Sequence, residues 1–569
     1  MTTKTPKSRA TLRFFLVAAV VLALGFVLLP FTGPVDDAYI TMTYSRHLAH
    51  GQGLVFNPGE NVEGSTAFGQ VIILAVFSLL GIVRIDFVAV LLGILAWAGA
   101  LTLGYRLYVD DRGRTGIENP GTMDFVFFGF LISCPMSLVW AASAMETPIV
   151  GLLWMLALTT HLREIDSERV PWASALATAV AGLMRPDGIL VAVVLGLSWL
   201  WPFRKKRALR GVLYGVMVLG LFGGYWLWRW RHLGYFTPNT YAAKVGDLSI
   251  MLLLHGIIYV LRAGMALVFP PVFLILIVGA GRKLRAELPR WFWIGTGLTA
   301  VACAYAVSVG GDFFPYHRFL VPVLIPGTLA AWKLFRVVLT HRRRDRGAAV
   351  APPARKRLAV LLVVGWWLWA TGSQVLDLYK ANKLVEWTRA WVRVGRQLRA
   401  MTPEDTVIAT LPIGAVSYFS HRRIIDMVGL TDLHIGRSKQ RTGVNIVGHE
   451  KFDTAYVLKR RPHLILSWPE LYRKDPKVSE WRYAHTIGMA QRDLYLRKRT
   501  FDLYTPVEVK IAGRTLFGLM RSDLLPNPEF DEFKPLATKR RRKYFDPDLF
   551  RVITKPSWDE AFESLRDEN

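Results

Sequence analysis

Apolar residues collect in long runs over the first two thirds of the chain. The runs lie at 14–31, 66–84, 86–108, 121–140, 146–162, 170–203, 209–230, 252–280, 290–309, 319–340 and 357–376. A helix needs about 20 apolar residues to cross a hydrocarbon core of roughly 30 Å, so these runs predict about 11–13 membrane-spanning helices. The run at 170–203 is long enough for two short helices, because Arg185-Pro186-Asp187-Gly188 interrupts it. Charges at mid-membrane depth are costly, so we expect this break at an aqueous edge.

The pattern changes after about residue 380, where apolar runs shorten and charges become frequent. Short strands are predicted at Thr406–Leu411, Arg423–Val428 and His463–Ser467. The segment Phe501–Met520 predicts a hairpin that turns near Gly513. We therefore expect a mostly α-helical membrane domain at 1–379, followed by a C-terminal α/β domain at 380–569.

The charge distribution indicates a topology. The formal net charge is +27, and much of it lies in short basic loops between the apolar runs. The loops at 204–208, 281–290 and 341–356 are predicted to be cytoplasmic by the positive-inside rule. The outward-facing segments are then 32–65, 231–250, 310–318 and everything after about 377. Between 84 and 170 the alternation of inside and outside segments does not come out consistently. These features predict a multi-pass protein of a bacterial inner membrane with an extracytoplasmic C-terminal domain, and argue against nucleic acid as a partner.

Metal and thiol chemistry is not indicated by the sequence. Cys134 and Cys303 both lie inside apolar runs, which favours packed thiols over a disulfide. His449-Glu450 lacks the second histidine of a zinc motif, so we interpret His449 as structural or substrate-contacting. We expect no cofactor, and a divalent metal is not indicated.

The strongest local signal is an acidic pair, Asp36-Asp37, directly after the first apolar run. Repulsion between adjacent carboxylates and a low dielectric both tend to raise one pKa, which suits a general base. Two alternatives explain the pair without catalysis. One carboxylate could cap a helix that begins near Ala38, or the pair could bind a metal.

The whole first outer loop, DDAYITMTYSRHLAHGQGLVFNPGENVEGSTAFGQ, resembles that of the GT-C superfamily, which are membrane glycosyltransferases that use polyprenyl-phosphate sugars. More narrowly, the chain is similar to the group around the terminal β-(1→2)-arabinofuranosyltransferase of mycobacterial arabinogalactan. The stretches that agree are Ala144–Pro148, Arg185–Gly188, Pro238–Thr240 with Lys244, Gly310–Asp312, His317-Arg318, Asp426–Asp432 and Gly448–Lys451. Their order along most of the chain makes this match more specific than any single motif.

The resemblance implies roles for individual residues. The catalytic base falls on Asp36 by position, with Asp37 as the close competitor. The cations expected to hold the donor phosphate are Lys244, Arg318 and Arg185, with His317 beside them. For Lys244 and Arg318, snorkelling to lipid headgroups is an equally good explanation. The remaining candidate substrate-binding residues are Glu146, Asn239, Asp312 and His449; a place in the first turn of a helix also explains Glu146, and turn formation also explains Asp312.

The sequence therefore predicts an inverting glycosyltransferase that moves a sugar from a polyprenyl-phosphate donor to a glycan, lipid or protein acceptor of the cell envelope, on the outer face of the membrane. Arabinofuranose is the sugar that the resemblance implies. The chain departs from the mycobacterial pattern at Ala38-Tyr39 and has a smaller outer domain, which leaves hexose donors open. The alternative from another class is a transporter of lipid-linked or soluble precursors. Transporters often contain internal repeats, and none is visible here.

Overall fold

A computed structural model shows two compact units. The membrane unit comprises Met1–Leu54, Ser65–Phe236 and Leu248–Glu386, and the sheet unit comprises Val55–Gly64, Thr237–Asp247 and Trp387–Asn569. The structure describes residues 32–114, 122–201, 204–244, 249–267, 287–344, 375–440, 450–481 and 488–547, with the single residues 365, 369, 372 and 550. The predicted helix at 14–31 and most of the one at 357–376 lie outside these ranges, so the number of spans stays a prediction.

Most of the described chain before residue 401 is helical. In chain order the helices are α1 (Asp36–Ala49), α2 (Phe68–Leu79), α3 (Ile85–Arg114), α4 (Thr122–Ser133), α5 (Pro135–Ala141), α6 (Thr147–Asp166), α7 (Trp172–Met184), α8 (Val191–Trp199), α9 (Lys205–Val218), α10 (Gly224–Leu233), α11 (Asn239–Lys244), α12 (Ile250–Leu267), α13 (Arg290–Ser308), α14 (Leu324–Arg344) and α15 (Val375–Met401). Of these, α11 belongs to the sheet unit, and α15 passes from the membrane unit into the sheet unit at Trp387.

The membrane unit has helices of membrane-spanning length. Among the described residues, four stretches are long and apolar enough to cross a bilayer: Ile85–Asp111, Lys205–Leu233, Arg290–Ser308 and Arg318–Val338. The second of them exposes Leu209, Val212 and Leu219, each more than 60% accessible. Apolar surface of this extent needs to be covered, and in a multi-pass membrane protein lipid covers it. The predicted fold class, a mostly helical membrane body with a C-terminal α/β domain, is confirmed.

The predicted break in the 170–203 run is present. Helix α7 ends at Met184, Arg185 is extended with φ −152° and ψ 137°, and a 3-10 helix follows at Pro186–Leu190. Gly188 has no room for a side chain, because a Cβ there would lie 2.1 Å from the carbonyl oxygen of Ala181. Glycine therefore lets the chain fold back closely onto α7.

A second break lies in the region between 84 and 170, where the sequence left the topology open. The run at 121–140 forms two helices, α4 with 12 residues and α5 with 7, which meet at Cys134-Pro135. At 1.5 Å per residue, neither helix alone reaches across a core of roughly 30 Å. The sides on which the segments between 84 and 170 lie stay a prediction.

The sheet unit is built on a six-stranded mixed sheet. Its strands are β1 (Val407–Thr410), β2 (Arg423–Asp426), β3 (Leu464–Leu466), β4 (Tyr504–Ile511), β5 (Arg514–Arg521) and β6 (Lys534–Pro535), in the order β2-β1-β3-β5-β4-β6. Its further helices are α16 (Ile413–Ser420), α17 (Leu433–Gly436), α18 (Thr454–Lys459), α19 (Met489–Leu496), α20 (Lys498–Leu503) and α21 (Thr538–Phe545).

The strand pairing follows the sequence prediction closely. Strands β1, β2 and β3 are parallel, with Ile408 opposite both Ile424 and Leu464. Strands β4 and β5 form the predicted hairpin, and both residues of its turn, Ala512 and Gly513, have positive φ. Positive φ at both central residues is typical of the tight turns that join twisted antiparallel strands. The three predicted strands and the hairpin are confirmed.

The edge strand β2 is covered by a segment from far away in the sequence. This strap, Val55–Gly64, belongs to the sheet unit. The amide nitrogen of Asn57 donates to the carbonyl of Ile424 at 2.8 Å, and its amide oxygen accepts from the N–H of Ile424 at 3.1 Å. Glu60 of the strap pairs with Arg423 at 2.5 Å and with Arg460 at 2.8 Å. One side chain thus makes the two hydrogen bonds that a neighbouring strand would make, which protects the exposed edge.

Candidate active site

The acidic pair opens helix α1. Val35 holds the N-cap position, and Asp36 and Asp37 are the first two helical residues, both partly exposed. The capping alternative therefore does not describe this helix start, although the helix dipole still favours a negative charge in the first turn. The N–H of Val35 donates to the carbonyl of Ser143 at 3.2 Å. That bond ties the start of α1 to the turn between α5 and α6.

The turn after α5 is held by its own polar groups. The hydroxyl of Ser143 donates to the carbonyl of Trp140 at 2.8 Å and accepts from the N–H of Met145 at 3.2 Å. Ala144 is in the left-handed region at φ 62°, and its carbonyl accepts from the side chain of Gln70 at 2.9 Å. These bonds hold Glu146 at the N-cap of α6, where its side chain makes no capping bond.

Glu146 contacts Arg185. The guanidinium Nη1 lies 3.4 Å from Glu146 Oε1 and 3.4 Å from Thr147 Oγ1. Asp187 accepts two hydrogen bonds from the same guanidinium, from Nε at 2.8 Å and from Nη2 at 3.0 Å. Both Arg185 and Glu146 are buried, and Glu146 Oε2 has no hydrogen-bond partner within the described ranges. A buried carboxylate oxygen of this kind is an acceptor that lacks a donor.

A second buried ion pair lies close by. Arg318 Nε is 2.7 Å from Asp312 Oδ2, and Arg318 Nη2 donates to Asp312 Oδ1 at 3.2 Å. Gly310 and Gly311 precede the aspartate with φ of 77° and 82°, and a side chain at Gly310 would collide with Leu252. The double glycine therefore allows the tight approach that brings Asp312 to Arg318.

Aromatic rings join the two ion pairs into one cluster. The ring of Phe319 lies 5.2 Å from the guanidinium carbon of Arg185 and 5.6 Å from that of Arg318. Arg318 also lies 4.8 Å from the ring of Phe314 and 5.6 Å from that of Trp140. The indole N–H of Trp140 donates to the carbonyl of Tyr316 at 3.1 Å. Two guanidinium cations and three carboxylates, those of Glu146, Asp187 and Asp312, thus meet in a largely dry, aromatic environment.

His317 is placed beside this cluster. It has φ 46°, and its ring lies 4.9 Å from that of Tyr259, whose hydroxyl accepts from the N–H of Phe319 at 3.2 Å. Burial lowers the pKa of His317 below its ordinary value. Contact of His317 with the donor stays a prediction.

The other predicted residues belong to the sheet unit. Asn239 is fully buried, and its amide nitrogen donates to the carbonyls of Gly429, Leu430 and Asp432 at 2.9, 3.0 and 3.3 Å. These contacts are those of a structural side chain. Lys244 is the last residue of α11, and His449 lies outside the described residues. The structure therefore brings Glu146, Arg185, Asp312 and Arg318 together with His317 beside them. Substrate binding by these residues stays a prediction, as it does for Asn239, Lys244 and His449.

The loop after β2 is held together by its own acidic residues. Asp426 is buried and accepts from the N–H groups of Val428, Gly429 and Thr431 at 2.9, 3.1 and 2.7 Å. Burial raises the pKa of Asp426 to about 6, against the opposing effect of these N–H donors. Asp432 caps α17 by accepting from the N–H of Ile435 at 3.1 Å. Asp432 also accepts from the hydroxyl of Tyr456 at 3.0 Å and from Arg460 at 3.3 Å, so the two carboxylates order the loop and tie it to α18 and the residue after it.

Sequence reasoning missed four members of the cluster: Asp187, Trp140, Phe314 and Phe319. Asp187 had a detectable signal, because it follows an arginine by two residues at a helix break, where a bidentate contact is sterically easy. The three aromatic residues had none, since aromatic side chains are ordinary in and beside apolar runs. Within the described residues, no group of three or more His, Cys, Asp or Glu side chains is arranged to hold a metal ion.

Comparison with known proteins adds a domain, two relatives and a solved structure. Residues 380–504 match a domain of unknown function (DUF8728). The chain is 29% identical over 383 residues to a terminal β-(1→2)-arabinofuranosyltransferase of Mycobacterium tuberculosis, covering 59% of this chain and 58% of that protein. It is 24% identical over 382 residues to the protein of the same name from Corynebacterium glutamicum, covering 59% and 51%. The match thus spans little more than half the length of these relatives.

The fold also has a solved counterpart. ArnT from Cupriavidus metallidurans, crystallised with undecaprenyl phosphate, superimposes with a TM-score of 0.51 at 16% identity, covering 90% of this chain and 98% of that one. At this identity the likeness concerns the fold alone. The resemblance to the arabinofuranosyltransferase group, predicted from the first outer loop and the ordered motifs, is confirmed by the two relatives of that name.

Proposed function

We propose that the protein is an inverting glycosyltransferase that moves a sugar from a polyprenyl-phosphate donor to a hydroxyl group of a cell-envelope acceptor. The observation that carries the proposal is the 383-residue match to a relative named as a terminal β-(1→2)-arabinofuranosyltransferase. Arabinofuranose is accordingly the proposed sugar, and the outer face of the membrane the proposed location. ArnT, which shares the fold, was crystallised with undecaprenyl phosphate, and this agrees with a polyprenyl-phosphate donor.

The proposed reaction begins at the acidic pair. Asp36 or Asp37 takes the proton of the acceptor hydroxyl, and that oxygen attacks the anomeric carbon opposite the phosphate. The bond from that carbon to the phosphate oxygen breaks, and polyprenyl phosphate leaves with the electron pair. Consecutive helical residues point about 100° apart, so the two carboxylates differ in direction, and we assign the base role to one of them. The bond from Val35 to Ser143 supports a role near the cluster, because it fixes the start of α1 to the turn that carries Glu146.

The cluster would serve the leaving group and the sugar. A guanidinium has five N–H donors, and the contacts of Arg318 to Asp312 use Nε and Nη2. We therefore assign to Nη1 of Arg318 the contact with the donor phosphate, where a cation stabilises the charge that develops on departure. Glu146 Oε2, a buried acceptor, is suited to a sugar hydroxyl.

The test uses purified full-length protein with a panel of polyprenyl-phosphate sugars, including arabinofuranose and hexoses, and a synthetic oligosaccharide acceptor. Asp36→Asn and Asp37→Asn are assayed separately, and one of them should lose about 10²–10⁴-fold in turnover, the usual contribution of general base catalysis. Asp86→Asn is a matched control, since Asp86 also lies in the first turn of a helix. Full activity in both variants would show that neither Asp36 nor Asp37 is the general base.

A further inference from the structure

The parallel part of the sheet has a topology that favours a ligand site. Strand β1 lies between β2 and β3, so the chain leaves β1 on one side and returns on the other. In open α/β sheets with this order, ligands bind outside the carboxyl ends of the strands where the direction reverses, which is between β1 and β3. The hydroxyl of Thr410 bridges these two strands at that end by donating to the carbonyl of Leu466 at 2.7 Å.

Three tryptophans meet at the carboxyl end of β3. Trp468 follows the last residue of β3 by two positions, and its ring lies 5.4 Å from that of Trp387 and 5.2 Å from that of Trp391. Both pairs are nearly perpendicular, at 85° and 88°. Trp387 and Trp391 are one turn apart on α15, with their rings at 21° to each other. We call these three residues the tryptophan triad.

The packing of α15 agrees with this placement. Gly395 packs closely on Phe419 and Ala415 of α16, the helix that follows β1. Farther along α15, the carbonyl of Arg399 accepts from Arg422, the residue before β2. The later turns of α15 therefore lie near the amino ends of the parallel strands, and its earlier turns, which carry the triad, lie near the carboxyl ends.

The triad is only partly used for packing. Trp391 is 5% exposed, which is typical of a core side chain, whereas Trp387 and Trp468 remain partly accessible. A carboxylate is close in sequence, since Glu470 follows Trp468 by two residues, is partly exposed and accepts from the hydroxyl of Tyr472 at 3.0 Å. Indole faces beside a hydroxyl acceptor match the chemistry of a sugar ring, which has one apolar C–H face and a rim of hydroxyls.

We propose that Trp387, Trp468 and Glu470 form a carbohydrate-binding site on the sheet unit, with an uncharged glycan chain as its ligand. The site would hold the acceptor chain, and that identification rests on the proposed function. An aromatic belt at the membrane interface is the other familiar use of exposed tryptophan. A membrane belt does not account for Trp468, which lies in the loop after β3 at the switch point of the sheet. The match to the domain of unknown function, residues 380–504, includes the whole triad.

The experiment measures glycan binding without any donor. Full-length protein in detergent is titrated with an arabinofuranosyl oligosaccharide by saturation-transfer NMR and calorimetry, with a hexosyl oligosaccharide for comparison. Trp387→Ala and Trp468→Ala should each weaken binding about tenfold or more, the effect of losing one aromatic stacking contact. Trp172→Ala is the matched control, since Trp172 is an exposed tryptophan of the membrane unit. Glu470→Gln should weaken binding less than the tryptophan changes, because an amide oxygen still accepts a hydroxyl.

Two readouts separate this inference from the proposed function. The Asp36→Asn and Asp37→Asn variants should bind the oligosaccharide as the parent does, so a protein without transferase activity could still bind glycan through the triad. In the transfer assay, Trp387→Ala should raise the KM for the acceptor and leave kcat little changed. Trp387→Phe should restore most of the affinity, which shows that the ring is needed and not merely the fold. Unchanged affinity in both alanine variants, or no saturable binding by the parent, overturns the site.

Discussion

Removing the side chain of Asn57 tests the strap that covers the edge of the sheet. Asn57 is 3% exposed and makes two hydrogen bonds to the backbone of Ile424 and one, at 2.8 Å, to Glu60. Asn57→Ala leaves the N–H and the carbonyl of a buried strand residue without partners. Each buried polar group left unsatisfied costs about 1–3 kcal/mol, which gives about 2–6 kcal/mol for the two groups. Removing the side chain also lets water approach the edge strand, so we expect a loss in the lower part of this range, about 2–4 kcal/mol.

The assay is hydrogen–deuterium exchange with mass spectrometry on the full-length protein. A loss of about 2–4 kcal/mol corresponds to roughly 30- to 900-fold faster exchange in the β2 segment, since each 1.4 kcal/mol is a factor of ten. Asn61→Ala is the control, because Asn61 is an exposed asparagine of the same strap. The reasoning is refuted if the two variants exchange alike at Arg423–Asp426, or if Asn57→Ala leaves this segment as protected as in the parent.

Three further predictions concern other contacts. Burial opposes ionisation of Glu60, but hydrogen bonds from Asn57, Arg460 and Arg423 outweigh it and lower its pKa below the ordinary 4.5. Its contribution is therefore present above about pH 4.5 and lost as the pH falls through the lowered pKa. Proteolysis of the strap should accelerate on acidification, and Glu60→Gln should show the fast rate already at pH 7.

Arg318→Ala leaves Asp312 buried without its cation and should lower the free energy of unfolding by about 3–5 kcal/mol. The double variant Arg318→Met with Asp312→Asn should lose less stability, because neither charge is left unpaired. Thermal unfolding in detergent measures both, and losses that add up from the single variants would contradict the pairing. Gly188→Ala should destabilise the protein by about 1–3 kcal/mol, because the new Cβ would meet a backbone carbonyl oxygen at 2.1 Å. Gly196→Ala, where nothing lies within 4 Å, should be neutral or slightly stabilising in the same thermal scan, and equal melting temperatures for the two variants would contradict the steric argument.

Local sequence patterns predicted the elements whose cause is local. The apolar runs, the break at Arg185–Gly188 and the strands β1, β2 and β3 follow from side-chain periodicity and from Pro and Gly, which act within a few residues. The β4–β5 hairpin was predicted for the same reason, since its turn lies in the sequence between its strands. The division of the 121–140 run into α4 and α5 escaped notice because the apolar pattern continues through Pro135.

Contacts between distant segments were not predictable in this way. Asn57 meets Ile424 across 367 positions of sequence, and no periodicity in either segment reports on the other. The arginines illustrate the same limit. The sequence suggested that Arg185 and Arg318 bind phosphate, but it did not indicate that each of them pairs with a carboxylate, as the structure shows. A cation's partner depends on which loops the helices bring together, and that information is carried by tertiary packing.

The strap also sets an order of events during synthesis. Its residues are made early, whereas β2, the strand that it covers, is made 367 positions later. At about 5–20 residues per second, that interval is roughly 20–70 s. Throughout this time the strap has no strand to bind, because β2 has not yet been synthesised, while the intervening membrane helices are inserted. The strap can therefore cover this edge only after β2 has been synthesised. In a chain that stops before β2, the strap has no strand to bind and stays accessible to proteases.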